Sequence, residues 1–204
     1  AHMAALGDIL NDKELIFQYK KMYFSIKTRI NNLMWDDETQ FYYDLDKDEN
    51  RLSTKTIAAY WTLLAEIPNA DKADFLVDHL NNPESFGTEH PFPTLSVDNP
   101  NFSEEGNGYC GSVYPAFNFM VIKGLEKYGQ YELARECSIR HLYFVLESLM
   151  PNNDKEVGDL FEAYLPNKEG CAKLSSDGTL ARARYLHTTA LSTIALMIEN
   201  VIGL

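Results

Sequence analysis

Apolar positions recur every three or four residues along most of this chain. Over residues 12–34, Leu15, Tyr19, Met22, Ile26, Ile30 and Leu33 form one stripe, the spacing of an amphipathic helix. At 41–46 the sequence FYYDLD alternates and is aromatic, which predicts a short strand or hairpin, with DKDEN (46–50) as its turn. The next helix carries Ile57, Tyr60, Trp61 and Leu64, with Ser53 or Thr54 as its expected cap and Pro68 near its end. A helix over about 70–81 places Ala73, Leu76, Val77 and Leu80 on one side. Residues 112–128 give Val113, Ala116, Phe117, Met120, Val121, Gly124, Leu125 and Tyr128 at helical spacing, with Pro115 tolerable only in the first turn. Gly129 punctuates, and YELARECSIRHLYFVLESL forms the antiparallel return. A last helix over about 184–203 carries Leu186, Ala190, Leu191, Ile194, Met197, Ile198 and Val201.

Two stretches break this rhythm. Residues 82–111 hold Pro83, Pro91, Pro93 and Pro100 with several glycines, so no regular element fits there. Residues 150–183 form a second irregular segment. Loops this long in a compact domain are usually functional. About six helices, joined by alternating short and long connections, predict an all-α fold, an α/α toroid or part of one with a short β-hairpin. An ordinary bundle would keep its loops short. If alternate connections share a rim, both long loops fall at the same end.

Composition narrows the partners. With 204 residues, one domain with a sizeable core is expected. Ala1, His2 and Met3 read as a cloning remnant, which leaves residues 4–204 as the single domain. The formal charge of −12 disfavours nucleic acid and anionic membranes as partners. No apolar run approaches the roughly 20 residues a membrane span needs. Cys110, Cys137 and Cys171 are odd in number and lack CxxC spacing, so they read as core-like thiols rather than disulfides or zinc ligands. The acidic run Asp44, Asp46, Asp48, Asn50 has the alternation of a calcium loop, but Glu49 and Lys55 stand where the EF-hand needs Gly and Glu. A plain acidic turn is the better reading. No Ser-His-Asp order, phosphate-binding glycine loop or metal cluster is present, and no cofactor is implied.

The segment GDLFEAYLP (158–166) sets one carboxylate, Glu162, between Phe161 and Tyr164. A solvated loop would favour smaller polar residues there. The aromatics imply either a packed corner of the fold or a wall against which a ligand lies.

Several stretches carry a family resemblance together and in order. LMWDDETQFYYDLD (33–46), TIAAYWTLLAEI (56–67), HPFPTLSVDNPNF (90–102), GYCGSVYPAFNFMVIKGLEKYGQYELA (108–134) and LFEAYLP (160–166) resemble motifs in the C-terminal half of the (α/α)6-barrel glycosidases, those related to trehalase and to glycoside hydrolase family 63. The resemblance implies a six-hairpin toroid and inverting hydrolysis of an α-glycosidic bond. It implies that Glu162, in the Glu-x-Tyr segment, is the general base that activates water. Such an enzyme sets this carboxylate opposite a protonated acid, with the two carboxyls about 6.5–9.5 Å apart. It further implies a carbohydrate partner, an α-glucoside or related oligosaccharide.

The departures are specific. The family's general acid belongs to a segment without a counterpart here, and about six helices cannot close a twelve-helix ring. Cys110 and Tyr114 stand where the family shows Arg and Trp. Tyr185, Leu186 and His187 stand where it shows an aromatic, Gly and Trp. The chain is thus expected to be half of a barrel, completed by a missing N-terminal half or by a second copy in a homodimer. Tyr109, Tyr114 and Asn118 are expected to wall the sugar site, since aromatic faces stack on sugar C–H surfaces and amides bond hydroxyls. Phe161, Tyr164, Trp61 and His187 are further candidates around it, and Glu162 is expected to face a sugar-sized hollow. One of Tyr60 and Trp61 should face the inner wall and the other lie between helices. His90 reads as loop structure. The competing reading is a non-catalytic carbohydrate-binding or scaffolding helical domain.

Overall fold

A computed structural model describes residues 2–150 and 158–204; Ala1 and residues 151–157, within the loop expected over 150–183, lie outside the described residues. The chain begins with α1 (His2–Ile9) and α2 (Lys13–Leu33), so His2 and Met3 lie in a helical first turn. Asp12 caps α2 by accepting from the Leu15 amide, which satisfies one of the free N–H groups of a helix start. A two-stranded hairpin follows, β1 (Trp35–Asp36) and β2 (Phe41–Tyr42), antiparallel with Trp35 opposite Tyr42. Its turn is therefore 37–40, ahead of the turn expected at 46–50, and the latter joins the isolated Leu45–Arg51 bridge.

The next helix is shorter than expected. A 3-10 turn, Ile57–Tyr60, starts after Thr56 without a side-chain cap and leads into α3 (Trp61–Leu64). Neither Ser53 nor Thr54 caps it, because the chain there is still pairing: Thr56 bridges Leu95 and the Ile57 amide donates to the Thr94 carbonyl. Helix α4 (Ala70–Asn81) follows, capped by Asn69. Pro115 occupies the first turn of α5 (Pro115–Lys127), and α6 (Tyr131–Leu149) returns beside it. Helix α7 (Leu191–Leu196) is flanked by π turns at Leu186–Ala190 and Met197–Ile202.

The core lies where α3, α4, α5 and α6 meet the hairpin. Phe41, Tyr60, Leu63, Leu76, Phe86, Ile122 and Leu125 are fully or almost fully enclosed. Phe41 stacks on Phe86 at 5.8 Å, and Tyr60 meets both rings edge-on. Helices α3 and α5 approach closely because Gly124 offers no side chain: a Cβ there would stand 2.9 Å from Cβ of Leu63. Phe86 and Phe92 come from the first long loop and anchor this four-proline segment in the core.

Two stripes differ from the sequence expectation. In α2, Met22 and Ile26 are exposed, as are Phe17 and Phe24. The packed side is instead the one bearing Tyr23 and Asn31. The Tyr23 hydroxyl donates to the Ala65 and Glu66 carbonyls, and the Asn31 amide donates to Ile67 O. Polar side chains thus turn inward to satisfy the carbonyls at the C-terminal end of α3, a constraint that apolar periodicity does not register. In the last helix Leu186, Leu191, Ile194, Met197 and Ile198 are exposed, while Thr189, Ser192 and Leu196 are buried. The Ser192 hydroxyl bonds locally, to the Thr188 carbonyl, and the Thr189 hydroxyl reaches across to the Phe161 carbonyl in the second long loop.

Behind the second long loop lies a buried imidazole pair. His90 Nε2 and His141 Nδ1 stand 2.7 Å apart, and Asn118 Nδ2 lies 3.0 Å from the same His141 nitrogen. His90 also stacks on Phe144 at 4.7 Å. Burial pulls both rings toward the neutral form. His90 falls well below its ordinary value, with His141 and Arg140 adding to the effect, and His141 falls to about 3. In the unfolded chain each titrates near 6.5. The folded state therefore binds fewer protons below that pH, and the stability of the neutral pair is lost as pH falls from about 6.5 toward 3. Each such proton is worth about 1.4 kcal/mol per pH unit. Thermal unfolding followed between pH 7 and 5, above the carboxylate range, should show a falling midpoint. The slope should correspond to about one proton fewer in His90→Phe.

Candidate functional site

Three segments that are distant in sequence are laced together by main-chain bonds. Val113 and Tyr164 exchange both amide bonds at 2.9 Å, and Tyr164 also bridges Cys171. The His90 amide donates to Pro166 O, and the Thr94 amide to Ser112 O. Gly108 donates to Lys173 O at 2.8 Å. Its φ of +66° and the 2.7 Å between a would-be Cβ and Leu174 O leave room for glycine alone. The two long loops thus share one end of the helices, as their alternation predicts.

Glu162 lies on this platform, two residues before Tyr164. Its amide donates to Arg182 O at 2.9 Å. Arg182 returns its side chain, with Nε 2.7 Å from one carboxylate oxygen of Glu162 and Nη2 2.8 Å from the other. The Glu162 side chain is 17% exposed and that of Arg182 66%. The bidentate bonds from Arg182 hold the Glu162 carboxyl below its ordinary range, against a smaller opposing effect of burial. The Arg182 guanidinium lies 4.8 Å from the centre of the Tyr185 ring. Tyr109 stacks on Tyr114 at 5.3 Å, and Tyr114 meets Phe117 at 5.5 Å. The Tyr114 hydroxyl is pushed up to about 12 by burial, then by Tyr109 and by the charge of Glu162.

The remaining candidates divide clearly. His187 is exposed and its ring is 5.6 Å from that of Tyr185, at the margin of the cluster. Phe161 is half-buried edge-on to Tyr164 at 5.9 Å. Tyr164 is fully enclosed, with its hydroxyl oxygen accepting from the Phe161 amide. That bond orients the turn carrying Glu162, so Tyr164 acts on the site from beneath. Asn118 is also fully enclosed, its amide donating to Pro91 O at 2.9 Å and facing His141. Its position is in the brace behind the loops rather than on the wall expected for it. Tyr60 is buried between helices and bonds Leu76 O, whereas Trp61 is 46% exposed. Trp61 lines an apolar groove of about 490 Å3 with Tyr19, Met22, Tyr23 and Ile26, away from the Glu162 cluster. This groove and others of about 120 to 680 Å3 lie along α2 and around the Asp36–Ser53 loop, and none of them is lined by Glu162, so the sugar-sized hollow expected before Glu162 is not among them. Among the described residues no group of three His, Cys, Asp or Glu could hold a metal ion.

Arg182, Tyr185 and His141 complete the arrangement and were not among the sequence candidates. In the structure Arg182 and Arg184, two apart in one loop, each stand beside a carboxylate, Glu162 and Asp159, a pairing the sequence does not signal.

A helical half-ring with irregular loops gathered at one end, and a carboxylate set among aromatics there, is the build of an α/α-toroid glycoside hydrolase. The chain belongs to the family described as the mannosylglycerate hydrolase MGH1-like glycoside hydrolase domain, whose model matches residues 1–178. It is 51% identical over 203 residues to an uncharacterized protein of Borreliella burgdorferi, covering 99% of this chain and 43% of that one. It is 29% identical to the cytosolic neutral trehalase of Kluyveromyces lactis over 134 residues, 62% of this chain and 17% of that one. The crystal structure of a GH63 mannosylglycerate hydrolase from Thermus thermophilus in complex with glucose superposes with a TM-score of 0.70 at 20% identity, covering 95% of this chain and 43% of that one. The fold is thus the α/α toroid of trehalase and family 63 enzymes, and the chain spans less than half the length of these relatives.

Removing Asn118 from its enclosed position leaves Pro91 O without its side-chain donor, at a cost of about 1–3 kcal/mol. Urea denaturation should show that loss in Asn118→Ala. Tyr109→Ala, at a position 68% exposed, should stay within about 0.5 kcal/mol of the parent chain.

Proposed function

We propose that this chain is the general-base half of an inverting α-glycoside hydrolase barrel, with Glu162 activating the attacking water. The observation that carries the reading is the placement of Glu162: a largely enclosed, ionised carboxylate beside Tyr114, at the loop end of a helical half-ring. An ionised carboxylate is the form that accepts a proton from water. Tyr109 and Tyr114 offer a stacked aromatic surface next to it, suited to the C–H faces of a sugar. His187 and Phe161 border the same region. The relatives, a trehalase and a mannosylglycerate hydrolase, the latter in complex with glucose, support a carbohydrate substrate.

The other carboxylic acid, and the far wall of the hollow, come in this reading from the complementary half of the ring. Two observations support that division. The relatives are more than twice as long as the stretch matched here. The two ends of the helical stack also carry exposed apolar side chains, Phe17, Met22, Phe24 and Ile26 on α2, and Leu186, Leu191, Ile194 and Met197 on and beside α7. Apolar surface of that extent marks a face that another body covers. The second reading, a carbohydrate-binding module without turnover, is favoured by one fact: both Glu162 oxygens are engaged by Arg182, and no other carboxyl faces them among the described residues.

In the complete barrel, Glu162→Gln should lower kcat by about a hundredfold or more with little change in KM, the scale of lost general-base assistance. Undiminished turnover in that variant would refute the role. Light scattering should report the isolated chain as self-associated at tens of micromolar and as a defined complex once its complementary half is added. Calorimetry with α-glucosides should give heat only for that complex; heat from the isolated chain would favour the binding module.

A further inference from the structure

We propose that Arg182 is a positioning residue for Glu162, fixing the plane of its carboxylate for the approach of water. This rests on the reading of Glu162 as the base.

The geometry is a three-bond clamp. The two residues pair through the main chain, Glu162 N–H to Arg182 O at 2.9 Å, and through the forked side-chain contact at 2.7 and 2.8 Å. The segment carrying Arg182 is pinned on both sides: the Ala181 amide donates to Ala172 O, the Tyr185 amide to Leu160 O, and the Arg184 amide to Asp159 Oδ1. Arg182 therefore faces Glu162 by the register of two paired segments, not by a chance meeting of mobile side chains. The Tyr185 ring beneath the guanidinium restrains it from its other face.

Such a fork leaves the carboxylate usable. An ionised carboxylate has about four acceptor positions. Arg182 fills one on each oxygen, and the other on each stays open to a water molecule. A planar guanidinium supplies this restraint and a lysine ammonium does not, because a point charge cannot fix the carboxylate plane. Among the described residues, the charged and titratable groups around Glu162 are few: Arg182, Tyr114 from the start of α5, Tyr185 under the guanidinium, and the Asp159–Arg184 pair on the next rung. Of these, Arg182 favours the ionised carboxylate directly, and burial opposes it. Removing the guanidinium therefore leaves burial to drive the carboxyl upward.

The direct test needs no activity. In the 204-residue chain, carboxyl carbon NMR of Glu162 should give a titration midpoint below the ordinary glutamate range. The midpoint should move upward in Arg182→Gln and lie between the two in Arg182→Lys. A midpoint unmoved by Arg182→Gln overturns the proposal. In the complete barrel, Arg182→Gln should lower kcat about tenfold or more and shift the acid limb of kcat/KM to higher pH, with partial recovery in Arg182→Lys. An acid limb that stays in place while kcat falls equally in both variants also overturns it. If the NMR midpoint moves but Glu162→Gln keeps full turnover, the clamp stands and the catalytic reading of Glu162 fails.

Discussion

Tyr164 holds this end of the molecule together. Its main chain pairs with Val113 on one side and Cys171 on the other, and its hydroxyl bonds the amide of Phe161, three residues earlier. A buried tyrosine needs a partner for its hydroxyl; here that requirement is met by the turn that carries Glu162. The backbone of the turn before Glu162 is thus tied to a side chain that never reaches solvent, while the carboxylate itself is held by Arg182. Behind it, His90, His141 and Asn118 tie the first long loop to α5 and α6. The chemistry of the rim and the packing of the helices are therefore one problem rather than two.

The apolar surfaces at either end of the stack follow from the architecture. A closed ring of helical hairpins has no ends, whereas an arc has two, and each leaves a helix with a bare flank. Helix α2 and the region around α7 show this flank. Their inward sides are held partly by polar contacts, the Tyr23 hydroxyl on α3 carbonyls and the Lys123 ammonium between Glu126 and Glu199. The apolar side chains stay exposed.

Much of the fold is legible in the sequence because its signals are local. Helix α4 is bounded by Asn69 and Asn82, and α5 begins at Pro115 and ends before Gly129, where composition alone places the limits. Glu162 is legible through its aromatic setting and its motif. Facing directions are less so. In α2 apolar residues occupy two sides, and spacing cannot tell which side meets the protein and which stays exposed. Asn118 follows a run of aromatics and reads as a wall residue, yet the carbonyl of Pro91 and the ring of His141 draw it inward. Arg182 escapes notice altogether, because its value lies in the pairing of two irregular segments twenty residues apart.

Phe86 and Phe92 belong at once to the first long loop and to the core. A rim built this way cannot swing open as a hinged flap, since lifting it would pull two rings out of the hydrophobic centre. The shape of this rim is therefore tied to the packing of the helices beneath it.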